Sequence, residues 1–310
     1  MDNDQGEYDD ALENMIFYAD DVVTTPEEVQ FEYTYPQDFE GSTSWRQVLG
    51  LRLRYFRLII DPSCTEIPQE AFWFCKLLVE IVFVENSRLT EIGARAFSYC
   101  ESLQRMTALP VGLLRLRRGA FMGCHSLSDE LVISCTVVLV EEHCFRLTAV
   151  TSVIFHDTLT PAANPVELGF FVFANCTELQ SVRLPQNIVS IPEHAFFGCT
   201  SLRNIPLPLS VEEVEEGAFC RCIALQSVDL PERNIRIGDR AYRNCTSLVK
   251  VTIRATEILD CGDEVFDECP ALVTIQVYPS VWMTLFESMS TDPSFLFHFI
   301  RKYQSWKWTA

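Results

Sequence analysis

LQSVRLPQNIVSIPEHAFFGC, residues 179–199, decides how this chain folds. Val182 and Leu184 alternate with Ser181 and Arg183, the period-two pattern of a strand with one buried face. Pro185 follows at once. Proline lacks an amide donor and fixes φ, so it ends the strand. Ile191 then opens a short return segment carrying Ala195, Phe196 and Cys199, and the next cysteine of this kind, Cys222, comes 23 residues later. A unit this short cannot enclose a core of its own and must bury its apolar edge against copies of itself.

The copies are present on both sides. The Ala-Phe-x-x-Cys block recurs as Ala71-Phe72 with Cys75, Ala96-Phe97 with Cys100, Ala120-Phe121 with Cys124 and Ala218-Phe219 with Cys222. Variants are Phe173 with Cys176, Ala241-Tyr242 with Cys245 and Val265-Phe266 with Cys269. Successive cysteines lie 25, 24, 52, 23, 23, 23 and 24 residues apart. The long interval hides one degenerate copy near Cys144-Phe145 and an insertion within His156–Gly169. Leu78, Leu103, Leu127, Leu179, Leu202, Leu225, Leu248 and Leu272 each follow a cysteine by three, and alternating pairs such as Ile81 and Phe83, or Val251 and Ile253, come next.

The pattern Leu-x-x-Val-x-Leu-Pro, then Ile-x-x-x-Ala-Phe-x-x-Cys, resembles the BspA-like leucine-rich repeats over roughly residues 57–278. The resemblance implies an α/β repeat fold, a right-handed leucine-rich-repeat solenoid with a parallel concave β-sheet and an irregular convex side. It implies no single function, because relatives are mostly described as surface adhesins or uncharacterised intracellular proteins. About ten strands are expected, from Leu58–Ile60 to Ile275–Val277; at about 4.8 Å between neighbours the sheet would be roughly 45 Å long.

Three segments are expected. The 310 residues carry a formal net charge of −19, but residues 1–40 hold 13 of the 43 acidic residues and no Lys or Arg. Residues 1–45 are therefore expected to form an acidic, largely disordered tail dispensable for folding. Residues 46–278 form the solenoid, with Arg46–Ile60 as its capping strand. Residues 279–310 form a helical C-terminal cap: Trp282, Leu285, Phe286 and Met289 have helical spacing, and Asp292-Pro293 reads as a helix start. The cap could instead offer a helix pair to a partner, since Trp306 and Trp308 lie at its end.

The acidic balance does not suit nucleic acid. The apolar run Leu131–Val140 is about half the roughly 20 residues a membrane span needs, and the acidic start MDNDQGEYDD does not read as a secretion signal. A cytoplasmic, monomeric protein is the expectation. Eight of the 13 cysteines share one repeat column; their parallel side chains suit a ladder of buried thiols rather than disulfides. No metal-ligand cluster, phosphate loop or nucleophile motif occurs, so no cofactor, metal or catalytic residue is assigned and an enzyme is not expected.

Surface remains. By strand phase Ile59, Val82, Val132 and Ile154 face outward on the concave sheet, beside Glu80 and Glu130, while the C-terminal half, including Lys250 and Thr252, reads as small and polar. An apolar strip with a charged rim suits a protein interface, although β-branched residues also favour strands for their own sake. The six named residues are the candidate partner-binding set of a non-catalytic interaction scaffold. The alternatives are a secreted or cell-surface adhesin and a regulatory or substrate-recruiting arm of an enzyme complex.

Overall fold

A computed structural model describes residues 31–35, 55–156, 165–233, 235–254, 258–277 and 307–309. In chain order its strands are β1 (Phe31–Tyr35), β2 (Phe56–Ile60), β3 (Glu66–Ile67), β4 (Leu78–Phe83), β5 (Glu91–Ile92), β6 (Arg105–Met106), β7 (Arg115–Leu116), β8 (Glu130–Ile133), β9 (Leu139–Val140) and β10 (Ser152–Phe155). Then come β11 (Glu167–Leu168), β12 (Ser181–Arg183), β13 (Ser190–Ile191), β14 (Glu213–Val214), β15 (Ser227–Leu230), β16 (Ile235–Ile237), β17 (Lys250–Ile253), β18 (Ile258–Cys261), β19 (Thr274–Val277) and β20 (Lys307–Thr309).

The strands form two lines along a solenoid of stacked coils, and every pairing is parallel. The longer strands give β1-β2-β4-β6, β8-β10-β12 and β15-β17-β19-β20. The shorter give β3-β5-β7-β9-β11 and β13-β14-β16-β18. The long line is interrupted twice. At Asn204 only a single bridge to Ser181 remains, because Pro206 and Pro208 flank this rung and have no amide to donate. The second break falls between β6 and β8, where the Ser128 amide donates to the Gln104 carbonyl at 3.3 Å but no strand pairing follows; on the other side of β6, Thr107 Oγ1 accepts from the Phe83 amide at 2.8 Å and donates to the Phe83 carbonyl at 3.2 Å.

Aromatic stacking defines the core. Phe72, Phe97, Phe121, Phe145, Phe173, Phe196, Phe219, Tyr242 and Phe266 form one continuous pile, with centroids 5.2–5.6 Å apart and ring planes within 2–15° of parallel. From Phe72 to Tyr242 each ring's backbone amide donates to the next coil's carbonyl at 2.7–2.9 Å, as Phe196 does to Ala218. The ring spacing is therefore set by the backbone and suits offset stacking.

The thiol column has a second task. Cys100, Cys124, Cys176, Cys199, Cys222, Cys245 and Cys269 each donate Sγ–H to the aromatic residue's carbonyl one coil back, at 3.1–3.3 Å. The column thus calls for a small side chain with a donor. The degenerate copy departs from this rule: Phe145 keeps the ring place and Cys144 fills the alanine place, while Thr148 takes the cysteine place but donates within its own coil, to the Phe145 carbonyl at 2.9 Å, beside Cys176 at 3.3 Å. Among the described residues no disulfide forms. Cys199→Val, which keeps the volume but removes the donor, should cost about 1 kcal/mol. Cys199→Thr, copying Thr148, should cost less; equal urea midpoints for the two variants would count against the donor role.

The described residues bear on four expectations. Among the described residues no helix forms, so the α/β description does not apply to them. Each return segment instead places two residues in the left-handed region, two before and two after the core ring, as at His194 (φ 54°) and Gly198 (φ 70°). Two left-handed residues four apart preclude a helical run. No helix among the described residues is long and apolar enough to cross a membrane.

At the N-terminus, Phe31–Tyr35 lies inside the stretch expected as tail, yet pairs along its length with β2. Tyr35 meets Phe72 edge-on at 5.5 Å, and its carbonyl accepts from the Asp61 amide at 2.9 Å. Removing residues 1–45 would therefore remove a paired strand; the rest of that stretch lies outside the described residues. At the C-terminus, the expected cap helices also lie outside them, except that Lys307–Thr309 is a strand beside β19. Between β2 and β19, the rung at Asn204 is reduced to a bridge, and β1 and β20 add one strand at each end of the long line.

Candidate functional site

The long-strand line places the six candidate residues. Pairing sets Ile59 beside Val82 and Val132 beside Ile154. Their neighbours Leu58, Ile60, Ile81, Leu131, Ile133, Val153 and Phe155 are buried, so the outward parity holds in both halves of the row. Thr107 stands exposed between the two apolar pairs. All four aliphatics are half-buried rather than open, because neighbouring coils cover their flanks.

The two carboxylates differ. Glu80 is held between two guanidinium groups, accepting from Arg57 Nε at 2.7 Å and meeting Arg105 Nε at 3.4 Å. Arg57 also reaches Glu32 at 3.5 Å. Glu32, Arg57, Glu80 and Arg105 therefore form a ladder of alternating sign across four rungs. The hydrogen bond Arg57 donates to Glu80, then the Glu80 charge, raises the Arg57 pKa above its already high value. Glu80 is thus paired on both sides, whereas Glu130 is exposed and, among the described residues, accepts from a hydroxyl, Ser152 Oγ at 3.1 Å. Glu130 is the rim charge left for a partner.

The polar half departs from expectation at one position. Lys250 is exposed, but Thr252 is only 2% accessible, so it is not a solvent-facing residue despite its outward phase. Among the described residues, no group of three His, Cys, Asp or Glu side chains could hold a metal ion.

Strand phase also missed several exposed aliphatics. Val111 (78%), Leu209 (66%), Val189 (41%) and Leu114 (37%) lie off the row, in the loops that lead from long strands to short ones. A sequence signal existed. Leu113-Leu114, Val137-Val138 and Ile188-Val189 are doubled aliphatics where other coils read Leu89-Thr90 or Val211-Glu212. The first residue of each pair is buried, leaving the second on the surface.

Repeated coils of strand, turn and ring-bearing return, with a thiol donating to the carbonyl of seven of the nine ring residues, define the repeat. A sequence profile for the BspA-type leucine-rich-repeat region matches residues 55–164 and 166–287, in six copies. The chain belongs to this family.

Several solved structures are similar to it. A leucine-rich-repeat protein of Bacteroides ovatus shares 21% identity over 82% of this chain and 83% of its own, with a TM-score of 0.43. The T. pallidum leucine-rich-repeat protein is 27% identical over 44% of this chain, with a TM-score of 0.40, and the match spans 62% of that protein's length. The pneumococcal vaccine antigen PcpA is 20% identical over 72% of this chain and 68% of its own, with a TM-score of 0.40. A search of curated protein sequences found no match.

Proposed function

We propose that this BspA-type repeat protein is a non-catalytic protein-recognition module that holds a protein partner on the outward face of its long-strand line. The observation that carries this reading is the in-register row of Ile59 with Val82 and Val132 with Ile154, with Glu130 open at its edge. Half-buried aliphatics on a rigid sheet lose little entropy on contact, and a central apolar row with a polar rim is the anatomy of a protein interface. The buried, donor-active thiols support a reducing compartment, and the cytoplasm is the proposed location. Titration of the unfolded protein should then find all 13 thiols reactive.

The test charges the row. Val132→Asp with Ile154→Lys should leave the fold intact and weaken capture of the partner by about 2 kcal/mol or more. Lys250→Ala should be nearly silent. A folded double variant that captures the same partners as the wild type at the same affinity would remove the row from consideration.

A further inference from the structure

Along the outward face of the long-strand line, counted from β1, the rungs change character. Glu32, Arg57, Glu80 and Arg105 alternate in sign, and Val132 and Ile154 are apolar. β12 then sets exposed Arg183 beside Ile154, and Arg203, also exposed, stands at the entry of the Asn204 rung. Lys250 on β17 and Arg254 just past it are exposed too. The exposed acids near these cations are Asp129 and Glu130 at the Val132 rung, Glu178 ahead of β12, Asp229 on β15, and Glu232 followed by exposed Arg233. From β10 to β17 the face thus carries Arg183, Arg203, Lys250 and Arg254 against Asp229, with Glu178, Glu232 and Arg233 at its border.

Residues 1–30 lie outside the described residues. Their sequence holds ten acidic residues and no Lys or Arg, and they join the fold at β1, the head of this same line. Read backward from β1, Glu28, Glu27, Asp21 and Asp20 come first, then the apolar run Tyr18-Phe17-Ile16-Met15, then Glu13, Asp10 and Asp9. The face leaving β1 has a matching order: a ladder of alternating sign, an apolar pair, then cations. Reach is sufficient. β12 is six strand steps from β1, about 29 Å at about 4.8 Å each. Asp10 precedes Phe31 by 21 residues, which span about 32 Å even at the 1.5 Å per residue of a helix.

We propose that residues 9–18 dock on this face. The apolar run covers Val132 and Ile154, and Glu13, Asp10 and Asp9 meet Arg183 and Arg203. Asp129 and Glu130 stand at the rung that the apolar run covers, not at the rungs that the acids meet. Segment and face belong to one chain, so the effective concentration is high and each contact need only be weak. The docked segment covers two of the four aliphatics of the row assigned to a protein partner, and a partner must displace it. That consequence rests on the row reading; the docking itself does not.

Hydrogen exchange of the full chain at low salt should show the amides of residues 9–18 at least about tenfold slower than in a synthetic peptide of residues 1–30. The slowing should vanish in molar salt, where charge interactions are screened within a few ångströms. Arg183→Glu with Arg203→Glu alters two exposed side chains, so the circular dichroism should be unchanged and the slowing lost. Adding Asp9→Lys, Asp10→Lys and Glu13→Lys in the same chain should restore it. Peptide-like exchange in the wild-type chain, slowing indifferent to the arginine changes, or failure of the charge swap to restore it would each overturn the proposal. Slowing that grows with protein concentration would place the segment on a second copy and overturn it as well. Should a variant not fold, the salt response of the wild-type chain decides. Partner capture separates the docking from the row reading. Once the slowing is lost, capture that rises supports occupancy of the row, whereas unchanged capture counts against the row alone and the exchange result still upholds the docking.

Discussion

Phe196→Ala should cost about 3–5 kcal/mol. The ring is fully buried, with Phe173 at 5.6 Å on one side and Phe219 at 5.4 Å on the other. Removing it opens a gap that the backbone cannot close, because the coil spacing is held by Phe196 donating to Ala218 and Phe173 donating to Ala195, at 2.8 and 2.9 Å. Each coil supports only its neighbours, so the expected damage is local opening before global loss. Hydrogen exchange should lose protection across residues 182–230 and keep it near Phe97 and Phe121. The next residue supplies the control. Phe197 is part-exposed, lying beneath the Arg221 guanidinium at 5.5 Å, and its replacement by alanine should cost less than about 1 kcal/mol. Unchanged exchange around residues 182–230 in the Phe196 variant, or equal losses for the two phenylalanines, would contradict the ring pile as the principal core.

Alkaline unfolding should be steep. Burial pushes the Cys176 thiol up to about 11 and the Cys124 thiol up to about 12. Burial also raises Cys100, Cys144, Cys199 and Cys222, well above the ordinary value near 9.0. The folded chain keeps these protons at a pH where the unfolded chain releases them, so unfolding gains thiolate and stability falls as pH rises. The contribution is complete below about pH 9 and is lost as pH climbs toward the folded values. With six such thiols the slope is about 8 kcal/mol per pH unit. A domain of ordinary stability, about 5–15 kcal/mol, would unfold within roughly two units. Circular dichroism in a reducing buffer would follow the transition. Below it, only the part-exposed Cys135 and Cys261 should react readily with a thiol reagent. Retained structure at pH 11, or rapid labelling of the column thiols at neutral pH, would show that the thiols are not sealed in the core.

Much of this fold is legible in the amino-acid sequence because a repeat imposes one environment on each column. Phe196 and Phe219 are 23 residues apart and occupy equivalent places, so phase alone separates the buried Phe196 from its neighbour Phe197. The same phase assigns Leu131 and Ile133 inward and Val132 outward, since a strand alternates strictly and the pairing is parallel throughout. The eight-fold Phe and Cys columns therefore determined the family, the strand line and the parity of the candidate row.

Contacts between coils and the path of the linking loops were decided only by the tertiary structure. Thr148 holds the cysteine place by phase, but only the structure shows that its hydroxyl donates within its own coil, to the Phe145 carbonyl. Glu80 reads as a free rim charge until Arg57 and Arg105, 23 and 25 residues away in sequence, are found to clamp it. Phe31–Tyr35 sits in an acidic stretch whose composition argues against order, yet an unpaired strand edge at β2 offers it a full set of backbone bonds. The exposed loop aliphatics depend on which member of each doubled pair the turn leaves outside. Composition and period describe one coil at a time, whereas these features arise where one coil meets the next.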